Sequence, residues 1–322
     1  MPIRRFLVVA LSAALSLPVL AATPAEVDAL LKKRDPQALA QAQALAEAQD
    51  ESATAWVLLA RAQLQAGNVD DALDSAEEAV ERDENNAQAQ LWLGNLLGVR
   101  IGQVNMLRKM TMAPDLRDAF EAAVRLDPSL IDARVALISF YLQAPAAIGG
   151  GMDKAKAQVA EISRRNAARG HLAQMNIDRH NKDTAAAEAS FRAAIATVRP
   201  EDRDTRLALG LNLQGLEKWD EAHAFFQKWA TEQPAVGAPH YQIGRLAAVS
   251  GKFLDEGASA LKRYLSSGMV LAESDPSPTN AWWRLGQIQA KQGDKATART
   301  SFQAALRLDP ANAEAKKSLQ GL

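Results

Sequence analysis

The sequence predicts an all-α protein, an α-solenoid of stacked helix-turn-helix pairs ended by a C-terminal capping helix. Three observations predict it. A pattern recurs every 34 residues, the interval separating Gly210 from Gly244, Pro200 from Pro234 and Ala60 from Gly94. Apolar residues follow helical rather than alternating spacing in every interpretable segment. Glycine and proline fall between these segments, where a chain that reverses direction needs them.

The first element is an export signal over residues 1–21. Arg4 and Arg5 supply its charged start, Phe6 to Leu20 its apolar run, and Ala21 and Ala22 its small residues. Cleavage is expected after Ala21, with Val19 and Ala21 at the recognised positions. An uncut membrane anchor is disfavoured, because Ser12, Ser16 and Pro18 break the run and it is short for a span of about 20 residues. The chain contains no cysteine, so it has neither a lipid-carrying cysteine nor a disulfide. The mature chain is expected to be soluble, and periplasmic in a Gram-negative host.

Residues 22–52 are expected to form an N-terminal helical cap, since Pro24 to Ala48 reads as two short amphipathic helices. An array of about seven repeats follows over 53–322. The first copy carries Trp56, Leu59, Ala60, Gly67, Ala72 and Ala79. The second starts at Leu93 and Gly94 but reaches Phe120, Ala123 and Asp127-Pro128 only after an insertion near 98–114. The third begins at Ile131 and is interrupted near 145–152, where Gly149, Gly150 and Gly151 mark a longer turn. The fourth has Ala187, Phe191 and Ala194, with Met175 in place of a small residue. The fifth has Leu209, Gly210, Ala222, Phe226 and Pro234, with Trp229 in place of a small residue. The sixth has Gly257 one place late, and a polar insertion near 266–278 follows it.

The seventh copy, Thr279 to Asn312, is the clearest. Gly286 and Ala298 let two helix backbones approach while Trp282, Leu285 and Phe302 fill the space between them. Gly293 turns the chain, and Pro310, after Asp309, cannot continue the helix before it. A last helix over 311–319 is expected to cover the end of the stack, with Lys316, Lys317 and Gln320 on its wet side.

These residues resemble the tetratricopeptide repeat family, from residue 53 to the end. The inserted second repeat, together with Phe140 to Pro145 and the triple glycine, is similar to exported bacterial members of that family. The resemblance implies a right-handed superhelix whose concave face is lined by the first helix of each pair. It places Tyr241, Gln242, Arg245, Asn280, Trp283, Arg284, Gln287 and Lys291 on that face. Such an aromatic, cationic and amide-rich strip suits an extended peptide. Packing against the preceding repeat is the alternative for Trp283. Some members grip a C-terminal carboxylate with a clamp of lysines and asparagines. Arg284 matches one clamp place, but Asn280, Leu207 and Leu211 replace the others, which argues against that specificity.

Composition and motifs point away from other classes of function. Thirty-seven basic and 38 acidic residues leave a net charge of −1, so no long-range field steers the chain onto nucleic acid or an anionic membrane. His171, His180, His223 and His240 form no i, i+4 metal-binding pair, although His223 and His240 lie in consecutive helices and could approach. No strand precedes the triple glycine and no Gly-Lys-Ser/Thr follows it, which leaves a flexible turn rather than a phosphate loop. There is no serine elbow and no thiol nucleophile. Asp70-Asp71 and Glu77-Glu78 belong to solvated helix faces.

Met106, Met110 and Met112 are expected on a helix extension packed against its neighbour, with an adaptable binding surface as the alternative. The expected function is a non-catalytic scaffold or adaptor of the cell envelope that binds a protein or peptide on its concave face. It needs no cofactor and no metal. The alternative is a helical scaffold that binds glycan beside a cell-wall enzyme.

Overall fold

The structure, a computed structural model, describes residues 22–266, 268–272 and 275–322. The predicted export signal lies outside the described residues. Helices account for nearly all the regular structure, in antiparallel pairs along the chain. The pairs are α1 (Pro24–Lys33) with α2 (Ala38–Ala48), α3 (Ala53–Gln65) with α4 (Val69–Arg82), α5 (Ala87–Gln103) with α6 (Met106–Leu126), and α7 (Ile131–Gln143) with α8 (Met152–Arg165). They continue as α9 (Ala167–His180) with α10 (Thr184–Thr197), α11 (Arg203–Gly215) with α12 (Trp219–Glu232), α13 (Gly237–Ser250) with α14 (Leu254–Tyr264), and α15 (Pro278–Lys291) with α16 (Lys295–Leu308). A single helix, α17 (Ala313–Gln320), ends the stack. Among the described residues the one β feature is an isolated parallel bridge between Val236 and Val270. The fold is therefore the predicted all-α solenoid.

Local sequence starts most of these helices. Thr23, Ser52, Asn86, Asn166, Asp183, Asp202, Ser277 and Asp294 each accept a hydrogen bond from the first turn of the helix they precede. At Thr23 the bond is reciprocated by Glu26, a capping box at the start of α1.

Four of the pairs are locked by a glycine on the first helix facing a large side chain on the second. A Cβ at Gly94 would lie 2.7 Å from Phe120, at Gly210 2.1 Å from Phe226, at Gly244 2.2 Å from Leu261 and at Gly286 2.6 Å from Phe302. No side chain fits at such separations, so these glycines set the approach of the two backbones.

Two polar devices recur in register with the packing. A buried or half-buried side chain of the first helix accepts from a serine twelve residues later on the second: Gln63 from Ser75, Asp178 from Ser190 and Gln289 from Ser301, each at 2.7 Å. The side chain at the fourth place of a repeat bonds the carbonyl six residues before it, sealing the turn between pairs. Trp56 does so to Asp50, Gln90 to Glu84, Arg134 to Pro128, Arg206 to Pro200 and His240 to Pro234. Backbone carbonyls that leave the helical ladder thus keep a partner.

The departures from the small-residue pattern are absorbed in the core. Trp229 and Met175 are both buried. The Trp229 indole stacks on Phe226, lies under the Arg206 guanidinium at 4.9 Å and donates to Gln233.

The three irregular stretches have three structural outcomes. Residues 98–114 lengthen the second pair, so that α5 and α6 run 17 and 21 residues, with Pro114 inside α6. Residues 145–152 form a single 3-10 turn, Ala146–Ile148, fastened by Arg117 through the Ile148 carbonyl at 3.0 Å. The stretch after α14 folds back along the edge of the stack. Gly237 donates to the Val270 carbonyl and Val270 to that of Ala235, while the buried carboxylate of Asp275 pairs with Arg203 at the start of α11.

Candidate functional site

The strip expected on the concave face draws on the successive first helices α13 and α15, which pack side by side, with α11 against the other side of α13. The structure brings part of it together. Arg245 of α13 and Asn280, Trp283, Arg284 and Gln287 of α15 are half-buried, and Lys291 is exposed at the end of α15. The Arg284 guanidinium lies over the Trp283 ring at 4.2 Å and donates from Nη1 to Gln287 Oε1 at 3.0 Å. Arg245 donates from Nη1 to Gln214 Oε1 of α11. Burial, and then the like charge of Arg284, push the Arg245 pKa below its ordinary value.

Tyr241 and Gln242 do not belong to this strip, which corrects the expectation for them. Each is only 5% exposed. Tyr241 packs in the core between pairs with its ring 5.4 Å from that of Tyr264, whose hydroxyl is in turn tied to the Pro276 carbonyl of the folded-back segment. Gln242 is covered by α11, and both its side-chain and main-chain oxygens accept from Gln214. Trp283 has a structural duty as well. Its indole N–H donates to Ser318 of α17 at 3.0 Å, so it is anchored on the following helix and not on the preceding repeat.

Two further places were singled out by sequence. His223 and His240 do not converge. His223 stacks on Phe253 with ring centroids 3.9 Å apart, and His240 is occupied by the Pro234 carbonyl. Burial holds both below the ordinary histidine pKa of 6.5. Among the described residues no group of three metal-ligating side chains comes together.

The methionine-bearing stretch is a helix extension, but its apolar side chains are not all packed: Met106, Leu107 and Met110 are 71%, 76% and 51% exposed. Between the lengthened hairpin and α7 lies an open, mostly apolar cavity of about 660 Å³, with Phe120 and Phe140 on its floor and Lys109 and Met110 at its rim. Sequence reasoning named the methionines but not this cavity. Its walls join the inserted stretches near 98–114 and 145–152 to α5, α6 and α7, a juxtaposition no local pattern encodes.

Comparisons with known proteins bear on the repeat. A family model described as "Tetratricopeptide repeat" matches residues 25–87, 57–97 and 241–313. No curated protein matches the chain. Among solved structures the chain is similar to a tetratricopeptide repeat protein from Parabacteroides merdae, at 15% identity over 92% of this chain and 95% of that one, with a TM-score of 0.48. It is also similar to YrrB, described as a TPR protein with an unusual peptide-binding site, at 16% identity over 87% and 98% of the two chains, TM-score 0.29. A third likeness is to PilW, described as a type IV pilus biogenesis factor, at 14% identity over 83% and 98%, TM-score 0.42. Among the described residues no helix is long and apolar enough to cross a membrane.

Proposed function

We propose, from the premise that the chain is a tetratricopeptide repeat protein, that it is a non-catalytic scaffold holding an extended polypeptide against its first helices in the cell envelope. One observation carries the reading: Arg245 of α13 and Arg284 of α15 each have a single glutamine oxygen as acceptor and, among the described residues, no carboxylate partner, while Lys291 is exposed at the end of α15. Amide and guanidinium donors on a concave surface bind a peptide's carbonyls and carboxylates, and an aromatic neighbour adds contact area at low entropy cost.

Export accords with the first helix. Removal of residues 1–21 leaves Ala22 at the start and keeps Thr23, the side chain that caps α1. N-terminal sequencing of protein from the envelope fraction is expected to begin at Ala22 or Thr23, and an intact Met1 would contradict export with cleavage.

The test of binding is capture from envelope extract by the purified chain, compared with two variants. Arg284→Gln combined with Lys291→Glu is expected to lose the captured polypeptide, since central arginines cost about 2 kcal/mol or more each on truncation. Lys316→Ala with Lys317→Ala, on the exposed side of α17, is expected to keep it. These substitutions leave Trp283 and its bond to α17 intact, so lost capture is not explained by a loosened cap. Equal capture by the groove variant and the parent would place the binding surface elsewhere.

A further inference from the structure

The lengthened second pair surrounds space that the repeat pattern does not call for. The open cavity of about 660 Å³ lies between α5, α6 and α7, and Pro145 and Ile148 of the inserted turn add to its lining. Its floor is aromatic, since Phe120 and Phe140 are both buried. A missing side chain helps to make the room: Gly98 lines the cavity, and a Cβ there would meet nothing nearer than a Leu116 carbon at 3.6 Å. Met106 and Met110 belong to the lining and stand exposed. Their unbranched thioether side chains can repack over a molecule that enters.

Polar side chains are few in this lining. Ser139 spends its hydroxyl on the Val135 carbonyl at 3.2 Å. Asn95 of α5, Lys109 of α6 and Gln143 of α7 also line the cavity, one from each helix, and among the described residues none of these three side chains has a hydrogen-bond or ion-pair partner. A mostly apolar cavity of about 300–1,000 Å³ with a small number of polar groups is the form a small-molecule site takes. An extended polypeptide suits it badly. Every residue of a peptide brings an N–H and a C=O that lose water on entry, and so few polar side chains cannot receive them. A hydrocarbon chain brings no such groups. The half-buried Lys109 ammonium supplies a counter-charge for an anionic head on that chain, with the amides of Asn95 and Gln143 as further donors.

We propose that this cavity binds a single-chain amphiphile with an anionic head, its hydrocarbon lying on Phe120 and Phe140 and its head at Lys109. A volume within the range of drug-sized ligands admits one chain rather than the two of a bilayer phospholipid. The site depends on the inserted stretches and is independent of the strip on α13 and α15.

The purified protein is titrated calorimetrically with octanoate, decanoate, laurate and myristate, each below its micelle-forming concentration, and with dodecanol and dodecylammonium. Affinity is expected to rise about fourfold per added methylene until the chain outgrows the cavity. Laurate is expected to bind about tenfold more tightly than dodecanol, because an ionised head adds a charge-assisted bond, and dodecylammonium more weakly than both. Lys109→Gln is expected to bring laurate down to the affinity of dodecanol while leaving dodecanol unchanged, a split that a merely structural lysine would not produce. Gly98→Leu fills the cavity from its wall and is expected to abolish binding of both. Its melting temperature is expected at or above the parent's, since a better helix former enters where there is room. Undiminished laurate binding by a folded Gly98→Leu protein would place the apolar site elsewhere and overturn the proposal. Equal affinity of the parent for laurate and dodecanol would remove the anionic head and overturn it too. If Gly98→Leu loses helicity, the Lys109→Gln split still decides, because that side chain has no protein partner among the described residues to lose. Co-sedimentation with phosphatidylglycerol vesicles and no binding of monomeric laurate would assign a membrane surface instead and overturn the proposal.

Discussion

Substitution of Gly286 tests how the pairs are held. A Cβ there would lie 2.6, 2.7 and 3.0 Å from three carbons of the Phe302 ring. Favourable carbon contacts begin at about 3.5 Å, so the ring and the new methyl must separate by roughly 0.9 Å. Phe302 is 2% exposed and cannot retreat into solvent. Forcing an extra methylene into a packed interior costs about 1–3 kcal/mol. Replacing a helical glycine by alanine returns about 0.5–1 kcal/mol of that. Gly286→Ala is therefore expected to destabilise the last pair by about 1–2 kcal/mol, and Gly286→Leu by more.

Gly98→Ala is the control. Its Cβ would meet nothing nearer than 3.6 Å, so the helix preference is gained without the clash, and about 0.5–1 kcal/mol of stabilisation is expected. Hydrogen exchange followed by mass spectrometry locates the damage. Stability in a stack is set by nearest neighbours, so faster exchange should be confined to α15, α16 and α17. Gly286→Ala together with Phe302→Leu should recover part of the loss, because the smaller side chain frees the space. A Gly286→Ala protein as stable as the parent, or exchange that rises equally in α3 and α4, would refute the reasoning.

Three further outcomes follow from the same geometry. Glu217, exposed in the turn before α12, has φ +54°, a left-handed conformation costing about 1–2 kcal/mol for a side chain. Gly67 and Gly293 occupy the corresponding turns with φ near +88° and +85°. After the extra chain entropy of glycine, Glu217→Gly should stabilise by about 0.5–1 kcal/mol in urea unfolding. Ser301→Ala leaves the buried Gln289 Oε1 without its donor and should cost about 1–3 kcal/mol, measured the same way. His223 and His240 are kept neutral by burial, so between their folded pKa values and the unfolded value of 6.5 the unfolded chain binds more protons. Stability should consequently fall as pH drops through 6.5 toward those lower values. His240→Gln, which keeps a donor at the place Gln90 fills in the second repeat, should flatten the dependence.

The period alone determined much of this protein. Gly94, Gly210 and Gly286, each with its phenylalanine on the second helix, are local partners within one repeat, and the 34-residue spacing of Gly94 from Ala60 and of Gly210 from Gly244 makes the position visible without a structure. Helix starts such as Ser277 and Asp294 are equally local, because a cap acts within three residues. The sealing bonds at the fourth place and the pairs of a serine with a glutamine or aspartate twelve residues before it also stand in the register, as donors and acceptors at fixed offsets. No single residue type marks the fourth place, which holds Trp, Gln, Arg or His.

What the face of the first helices exposes was decided only in three dimensions. Tyr241 and Gln242 occupy face-lining places, yet Tyr264 covers one and α11 covers the other. Tyr264 is in turn held by the segment after α14, whose Asp275 reaches Arg203 across 72 residues. That Arg245 and Arg284 meet no carboxylate among the described residues has the same origin. Helical periodicity states which side of a helix an arginine lies on, but its counter-charge can come from any neighbouring helix or insertion. Only the stacking of whole pairs, which sets those long-range distances, leaves these two without one among the described residues.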